Sequence, residues 1–323
     1  MTWTSARRLW PALAALLLVA GALGGWWLAG GGTASYPKGV RGFATGVPNG
    51  VYDRYGNLLQ QALQTSMPGV ELRLDGSQGS VDNLERVTAG QDDFAIATAD
   101  AVADFTSPAK GRLRAIARLY DDYLQLVVPA GSPIQKVSDL AGLRVGVGQQ
   151  KSGVNLITRE LLTVAGIDPD RGIKPRLLGV GDEGDALAKG DLDAFFWSGG
   201  LPTTALTSLS ERVPLRIVPL GDLTDALHRQ FADTAAYRTA VLPASIYADN
   251  PAVLTMAVPN LLITRDDVDQ RLVEGLTRAV IDSRDWIGRQ VHAAQRVDLR
   301  TAVYTDPLPL HEGARRYYRS LKP

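Results

Sequence analysis

The chain has 323 residues, 45% hydrophobic and 21% charged, the make-up of a globular protein long enough for one large core or two ordinary ones. Lys+Arg 34 balance Asp+Glu 34, so no basic field exists to draw a nucleic acid, and that class of function drops out. With no cysteine there is no disulfide, thiolate metal site, iron–sulfur cluster or lipid-modified cysteine, and His228, His292 and His311 stand too far apart for a metal-ligand spacing.

Arg7-Arg8 precede an uncharged run, Leu9 to Ala29, made mostly of Leu, Ala, Val, Gly and Trp. About 20 apolar residues suffice to cross a bilayer. The two arginines would stay cytoplasmic and Trp26-Trp27 would lie at the outer interface. Gly30 to Gly32 then form a tether, and Thr33-Ala34-Ser35 is a poor cleavage site. Residues 1–35 are therefore expected to be a membrane anchor or signal segment. The rest of the chain is expected at the extracytoplasmic face of the cell membrane, or secreted if the segment is cleaved.

Val40 to Thr45 reads as a first strand, and Thr45 to Gly50 as a turn of small residues. From Tyr52 the apolar positions Tyr55, Leu58, Leu59 and Ala62 keep the spacing of a helix face. Such a junction aims helix N–H groups and a partial positive charge beyond the strand, a place for an anion, or is an ordinary connection. Val70 to Leu74 is a second strand, followed by a polar turn and a helix that stops at Gly90; Phe94 to Ala97 is a third. Leu124 to Pro129 is a further strand. The pattern restarts with a strand at Leu143 to Val147, a polar turn, and a helix carrying Ile157, Leu161, Val164 and Ala165. Strands are expected at Arg176 to Val180, Ala194 to Trp197 and Leu215 to Leu220, and a helix starting at Pro202. Val253 to Ile263 returns to the first unit, and a long helix follows. Strand and helix in alternation is the signature of parallel α/β sheets, whose ligands bind at the carboxyl ends of the strands.

Several segments, taken in order, resemble the TAXI family of solute receptors. They are Ala44 to Gly46, Gly79 to Leu84, Leu113 to Ile116, Asp139 to Val145, Phe195 to Thr203 and Ala257 to Leu261. That family serves TRAP transporters, which are driven by ion gradients rather than ATP. The resemblance runs from Val40 to Tyr318. It implies an α/β, two-lobed type 2 periplasmic-binding-protein fold, each lobe a mixed sheet flanked by helices, with a ligand cleft between the lobes. The expected division is residues 36–130 and 256–323 in one lobe and residues 131–255 in the other. The family also implies a small carboxylate ligand, a glutamate-like amino acid or a 2-oxo acid, and a TRAP-type membrane permease as partner. The chain departs from the family between Gln149 and Asn155, where Val154 replaces a threonine, and at Tyr52-Asp53, where a second tyrosine is common.

The expected binding residues fall at the strand ends. Thr45, Val51 and Tyr52 belong to the first turn; Tyr52 either covers the ligand or packs under the turn. Ser80 and Asn83 sit at a helix start, where a serine caps and still leaves backbone N–H groups for a ligand. Thr98 and Asp100 end a strand, and Asp100 binds an amine or caps the helix that follows. From the other lobe come Ser152, Gly153 and Asn155 at a helix start, then Trp197, Ser198, Gly199 and Pro202, and Tyr237. Trp197 is a platform for the ligand or a core residue. Lys151 reads as solvated, Arg118 as paired at the surface, and the pairs Asp92-Asp93, Asp121-Asp122 and Asp266-Asp267 as solvated or capping. No GxSxG nucleophile turn occurs, and neither the turn after the first strand nor the turn at Gly148 to Gly153 has GxGxxG spacing, so no catalytic residue, cofactor or metal is expected. The chain is expected to be a receptor that delivers its ligand to the permease, or a sensory protein that reports to a signalling partner.

Overall fold

The computed structural model describes residues 36–48, 50–247, 249–291 and 297–321. The expected N-terminal anchor lies outside them. Among the described residues no helix is long and apolar enough to cross a membrane.

Gly39–Ala44 (β1), Val51–Ser66 (α1), Val70–Asp75 (β2), Ser80–Ala89 (α2) and Phe94–Thr98 (β3) alternate, and β1 pairs in parallel with both β2 and β3. Parallel neighbours need a crossover that covers the sheet face, and helices supply it. β3 is accordingly buried along its whole length. Tyr55, Leu58, Leu59 and Leu63 form the buried stripe of α1; the first three were expected from the sequence, and Leu63 takes the place of Ala62, which is half-buried. α2 ends at Gly90, whose φ of 75° is the left-handed cap that glycine adopts without a Cβ penalty. A short helix, Ala99–Asp104 (α3), leaves β3 directly.

The same design recurs in Arg144–Gly146 (β5), Gly153–Val164 (α4), Lys174–Arg176 (β6), Val180–Lys189 (α5) and Ala194–Gly199 (β7), with β5 parallel to β6 and β7. Two long strands weld the parallel arrays together. Leu113–Pro129 (β4) and Val253–Arg265 (β10) pair antiparallel; β10 also pairs with β3, and β4 with β7. The sheet therefore runs β2-β1-β3-β10-β4-β7-β5-β6. Leu215–Val218 (β8) adds to β4, and Arg238–Leu242 (β9) to β10. The remaining helices are Thr204–Ser210 (α6), Thr224–Gln230 (α7), Gln270–Gln290 (α8) and Glu312–Ser320 (α9). The last two pack on each other, with the Arg278 guanidinium 5.1 Å from the centre of the Tyr317 ring. Tyr318 donates to the Ile116 carbonyl at 3.2 Å, tying the C-terminal tail to β4.

Three local expectations change. The strand expected at Arg176 to Val180 ends at Arg176, and Val180 opens α5 instead. β6 is the end strand of the sheet and contains Pro175, which has no N–H to give a second neighbour. The helix expected at Pro202 begins at Thr204. Thr203 is held outside it: its N–H donates to the Tyr247 hydroxyl and its own hydroxyl to the Gly200 carbonyl. The expected polar break at Asp121-Asp122 is absent, and β4 runs through it. Asp121 binds Arg118 at 2.7 Å and also Arg238, while Asp122 points inward and is only 3% exposed. Asp92, at 2%, is likewise buried rather than solvated. Asp266 and Asp267 are exposed and paired with Arg112.

Candidate functional site

The carboxyl ends of β1, β3, β5 and β7 converge on one cavity with about 610 Å³ of empty space, solvent at its mouth included. One wall comes from the first array: Val47, Val51 and Tyr52 after β1, Gln78 to Ser80 after β2, and Thr98 at the end of β3. The facing wall holds Gly148, Gln149 and Ser152 to Val154 after β5, Leu178 and Gly179 after β6, and Trp197 to Gly199 at the end of β7. Asp122, from the middle of β4, and Tyr237, just before β9, complete it. Among the described residues no lysine or arginine lines this cavity.

The starts of α2 and α4 meet at the cavity edge. A Cβ built on Gly79 would lie 3.3 Å from the Ser152 Cα, and one on Gly153 would lie 3.0 Å from the Thr98 hydroxyl and 3.2 Å from that of Ser80. The missing side chains let the two helix ends approach this closely. Asp82 N–H donates to the Lys151 carbonyl (3.0 Å), Lys151 N–H donates to Gln78 Oε1 (3.2 Å), and the Lys151 ammonium pairs with Glu85 at 2.6 Å. Ser152 caps α4: its Oγ accepts from Asn155 N–H at 3.0 Å and donates to the Gln149 carbonyl at 2.6 Å. On the opposite wall Ser80 Oγ accepts from Thr98 N–H at 3.2 Å and lies 3.2 Å from the Tyr52 hydroxyl, which donates to Asn260.

Burial sets the electrostatics. It pushes the Asp122 carboxyl up to about 7; the Asn260 side chain opposes the shift, and Asp121 and Asp100 add to it. Asp100, fully buried, is raised by burial against hydrogen bonds from Thr98, the backbone and Tyr237. Tyr237 donates to Asp100 Oδ2 at 2.9 Å. Its hydroxyl, like that of Tyr52, is held well above the usual tyrosine range, first by burial and then by the nearby aspartates. Asp122 Oδ1 and Ser198 Oγ are buried with no hydrogen-bond partner among the described residues.

Of the residues singled out in the sequence, Val51, Tyr52, Ser80, Thr98, Ser152, Gly153, Trp197, Ser198, Gly199 and Tyr237 stand on this wall. The other five are placed elsewhere. The Thr45 hydroxyl bonds the Asp75 carbonyl. Asn83 is fully buried behind the wall and donates to the carbonyls of Thr45 and Ile96, both at 2.8 Å. Asp100 lies behind Tyr237. Asn155 donates to the Val147 carbonyl at 3.1 Å and faces a separate depression with Arg159 and Asp170. Pro202 borders another depression with Arg54. Trp197 is buried, borders the cavity and donates from Nε1 to Thr203 at 2.9 Å. Sequence reasoning missed Gln78, Gln149, Leu178 and above all Asp122. The segments on either side of Asp121-Asp122 are rich in apolar residues, but nothing in them sets Asp122 apart from Asp121.

Residues 43–320 match the model of the NMT1-like family. The chain belongs to the NMT1-like family. Solved structures similar to this NMT1-like protein include a putative L-cystine ABC transporter from Listeria monocytogenes (14% identity, 80% of this chain and 98% of that one, TM-score 0.51). Another is an ancestral arginine-binding protein bound to arginine (15% identity, 79% of this chain and 99% of that one, TM-score 0.51). A third is XAC2383 from Xanthomonas citri bound to ATP (15%, 87% and 95%, TM-score 0.51). At these identities the likeness is one of fold, a two-lobed type 2 periplasmic-binding architecture with its cleft between the lobes. Among the described residues no group of three His, Asp or Glu is placed to hold a metal ion.

Proposed function

We infer that this NMT1-like protein is an extracytoplasmic receptor that closes on a small solute and passes it to a membrane transporter. The observation that carries this reading is a cavity walled from both parallel arrays, with helix starts from each side in contact at its edge. A ligand there touches both lobes, so it binds the closed form better and shifts the equilibrium toward it. The lobes are taken as residues 36–130 with 256–323, and residues 131–255. The reading is of a binding protein, not an enzyme.

The finer reading is a small carboxylate held at the starts of α2 and α4 and delivered to a TRAP-type permease. Both helices are long enough to present a full N-terminal dipole, 10 and 12 residues. A carboxylate buried without a counter-charge is costly, and converging N–H groups offset that cost where no Arg or Lys is at hand. Residues 1–35 are read as a retained anchor that holds the receptor at the outer face of the membrane. Fractionation of native cells tests the anchor, and a soluble form beginning near Ser35 overturns it. Mass spectrometry of the molecule that co-purifies, followed by calorimetry, tests the receptor. A small carboxylate that binds at 1:1 and is recovered unchanged is the expected result. Turnover of the bound molecule would make the protein an enzyme.

A further inference from the structure

The cavity wall carries a single acidic group, Asp122, and no basic one. Asp122 sits in the middle of β4, 3% exposed, with Oδ1 buried and without a hydrogen-bond partner among the described residues. The Asn260 amide acts on this carboxyl as a donor, yet Asn260 Nδ2 and Asp122 Oδ1 are both left without a well-formed hydrogen bond, a costly arrangement that a ligand bringing further donors would relieve. Ser198 Oγ, 8% exposed, is unpartnered on the same wall. The charged groups around Asp122 are all acidic or neutral: Asp121 and Tyr120 from β4 itself, Tyr52 from α1, Asn260 from β10, Asp100 from α3 and Tyr237 before β9. Arg118 and Arg238, the nearby cations, are both spent on Asp121. The cavity therefore offers one carboxyl, on Asp122, and the N-terminal ends of α2 and α4 at its edge.

We propose that Asp122 is the specificity residue for a protonated amine, so that the ligand is an amino acid, with its ammonium on Asp122 and its carboxylate toward the helix starts, and not the corresponding 2-oxo acid. This rests on the receptor reading and on the cavity as its site. A 2-oxo acid presents only acceptors, so against the ionised Asp122 its carbonyl sets lone pair against lone pair at Oδ1. An ammonium supplies up to three donors and a full charge. Charge-assisted hydrogen bonds of this kind correspond to roughly tenfold to a hundredfold in affinity.

The test pairs each amino acid with the 2-oxo acid of the same skeleton: L-glutamate with 2-oxoglutarate, L-alanine with pyruvate, and L-leucine with 4-methyl-2-oxopentanoate. Binding to the full-length protein is followed by calorimetry. At least one amino acid should bind tenfold or more tightly than its oxo partner, and Asp122→Asn should abolish that preference. The thermal midpoint of unliganded Asp122→Asn reports that the variant is folded, and the Asp122→Glu variant should restore part of the preference. Protons compete with the ammonium for the carboxylate. The amino acid's affinity should therefore fall as pH drops below about 7, and that dependence should vanish in Asp122→Asn. An oxo acid that binds as tightly as its amino acid, or a preference that survives Asp122→Asn, overturns the proposal and leaves the receptor reading intact. No binding in either series counts against both.

Discussion

At the scale of the residue, burial separates side chains that hold the wall from side chains that line it. Asn83 and Asp122 are both buried and polar, yet Asn83 has spent its amide on two backbone carbonyls, while Asp122 keeps an oxygen free. Asn83→Ala should therefore act on stability rather than on ligand contact. It strips the donor from two buried acceptors, at about 1–3 kcal/mol for each. Urea denaturation should show a lower midpoint; an unchanged midpoint would mean that the carbonyls find other donors. Ser80, the serine read as a cap, is the first residue of α2 and accepts from Thr98 N–H instead, and the serine that does cap a helix is Ser152. Its replacement by alanine should cost about 1 kcal/mol in the same experiment. Asp122 was not readable as an interior group. Two adjacent aspartates look like a solvated turn, and only the fold shows Asp121 held by Arg118 and Arg238 while its neighbour faces the cavity.

Among the elements, periodicity made the helices legible and burial made the central strands legible. α1 and α8 carry their apolar stripes where the sequence puts them. β3 and β7 are short apolar runs, buried throughout. The boundaries that shifted are those set by tertiary partners: β6 ends early because it is a sheet edge with a proline, and α6 starts late because Thr203 is bound to Tyr247 and Gly200. The contact between the starts of α2 and α4 could not be read from either segment alone. It predicts that Gly153→Ala, harmless within a helix, acts across the cleft. The new methyl would stand 3.0 Å from the Thr98 hydroxyl and 3.2 Å from that of Ser80. X-ray scattering should find the variant more extended than the parent at saturating ligand, with unchanged helix content. An identical radius of gyration would mean that the two helix ends do not set the closed form.

For the molecule as a whole, five buried carboxyls, Asp100 among them, give folding a pH dependence of definite sign. Burial pushes Asp92 and Asp122 up to about 7 and Glu160 up to about 9, with the Asp233 carboxyl adding to Glu160; burial also holds Glu183 well above the carboxylate range. The folded chain keeps protons that the unfolded chain releases, so this stability is complete below the unfolded carboxyl pKa of about 4 and is lost as pH rises toward about 9. Lowered groups such as Asp170 and Asp193 act in the opposite sense, but they sit in solvent-exposed ion pairs that contribute little. Denaturation midpoints should therefore decline from about pH 5 to about pH 9, and Glu160→Gln should be the more stable protein at the upper end. A flat profile would show that these carboxyls ionise freely in the folded state. The continuous sheet also has a consequence for the order in which the protein is made. β3 lies between β1 and β10, and β10 is translated long after it. Until Val253 to Arg265 emerge, β3 has one bare edge and β4 lacks the neighbour it pairs with along much of its length. A nascent chain stopped short of Arg265 is a sticky half-sheet, prone to pair with another chain. Such a polypeptide is best kept extended until its last third is delivered, which suits passage through a membrane pore as an unfolded thread and folding on the far side.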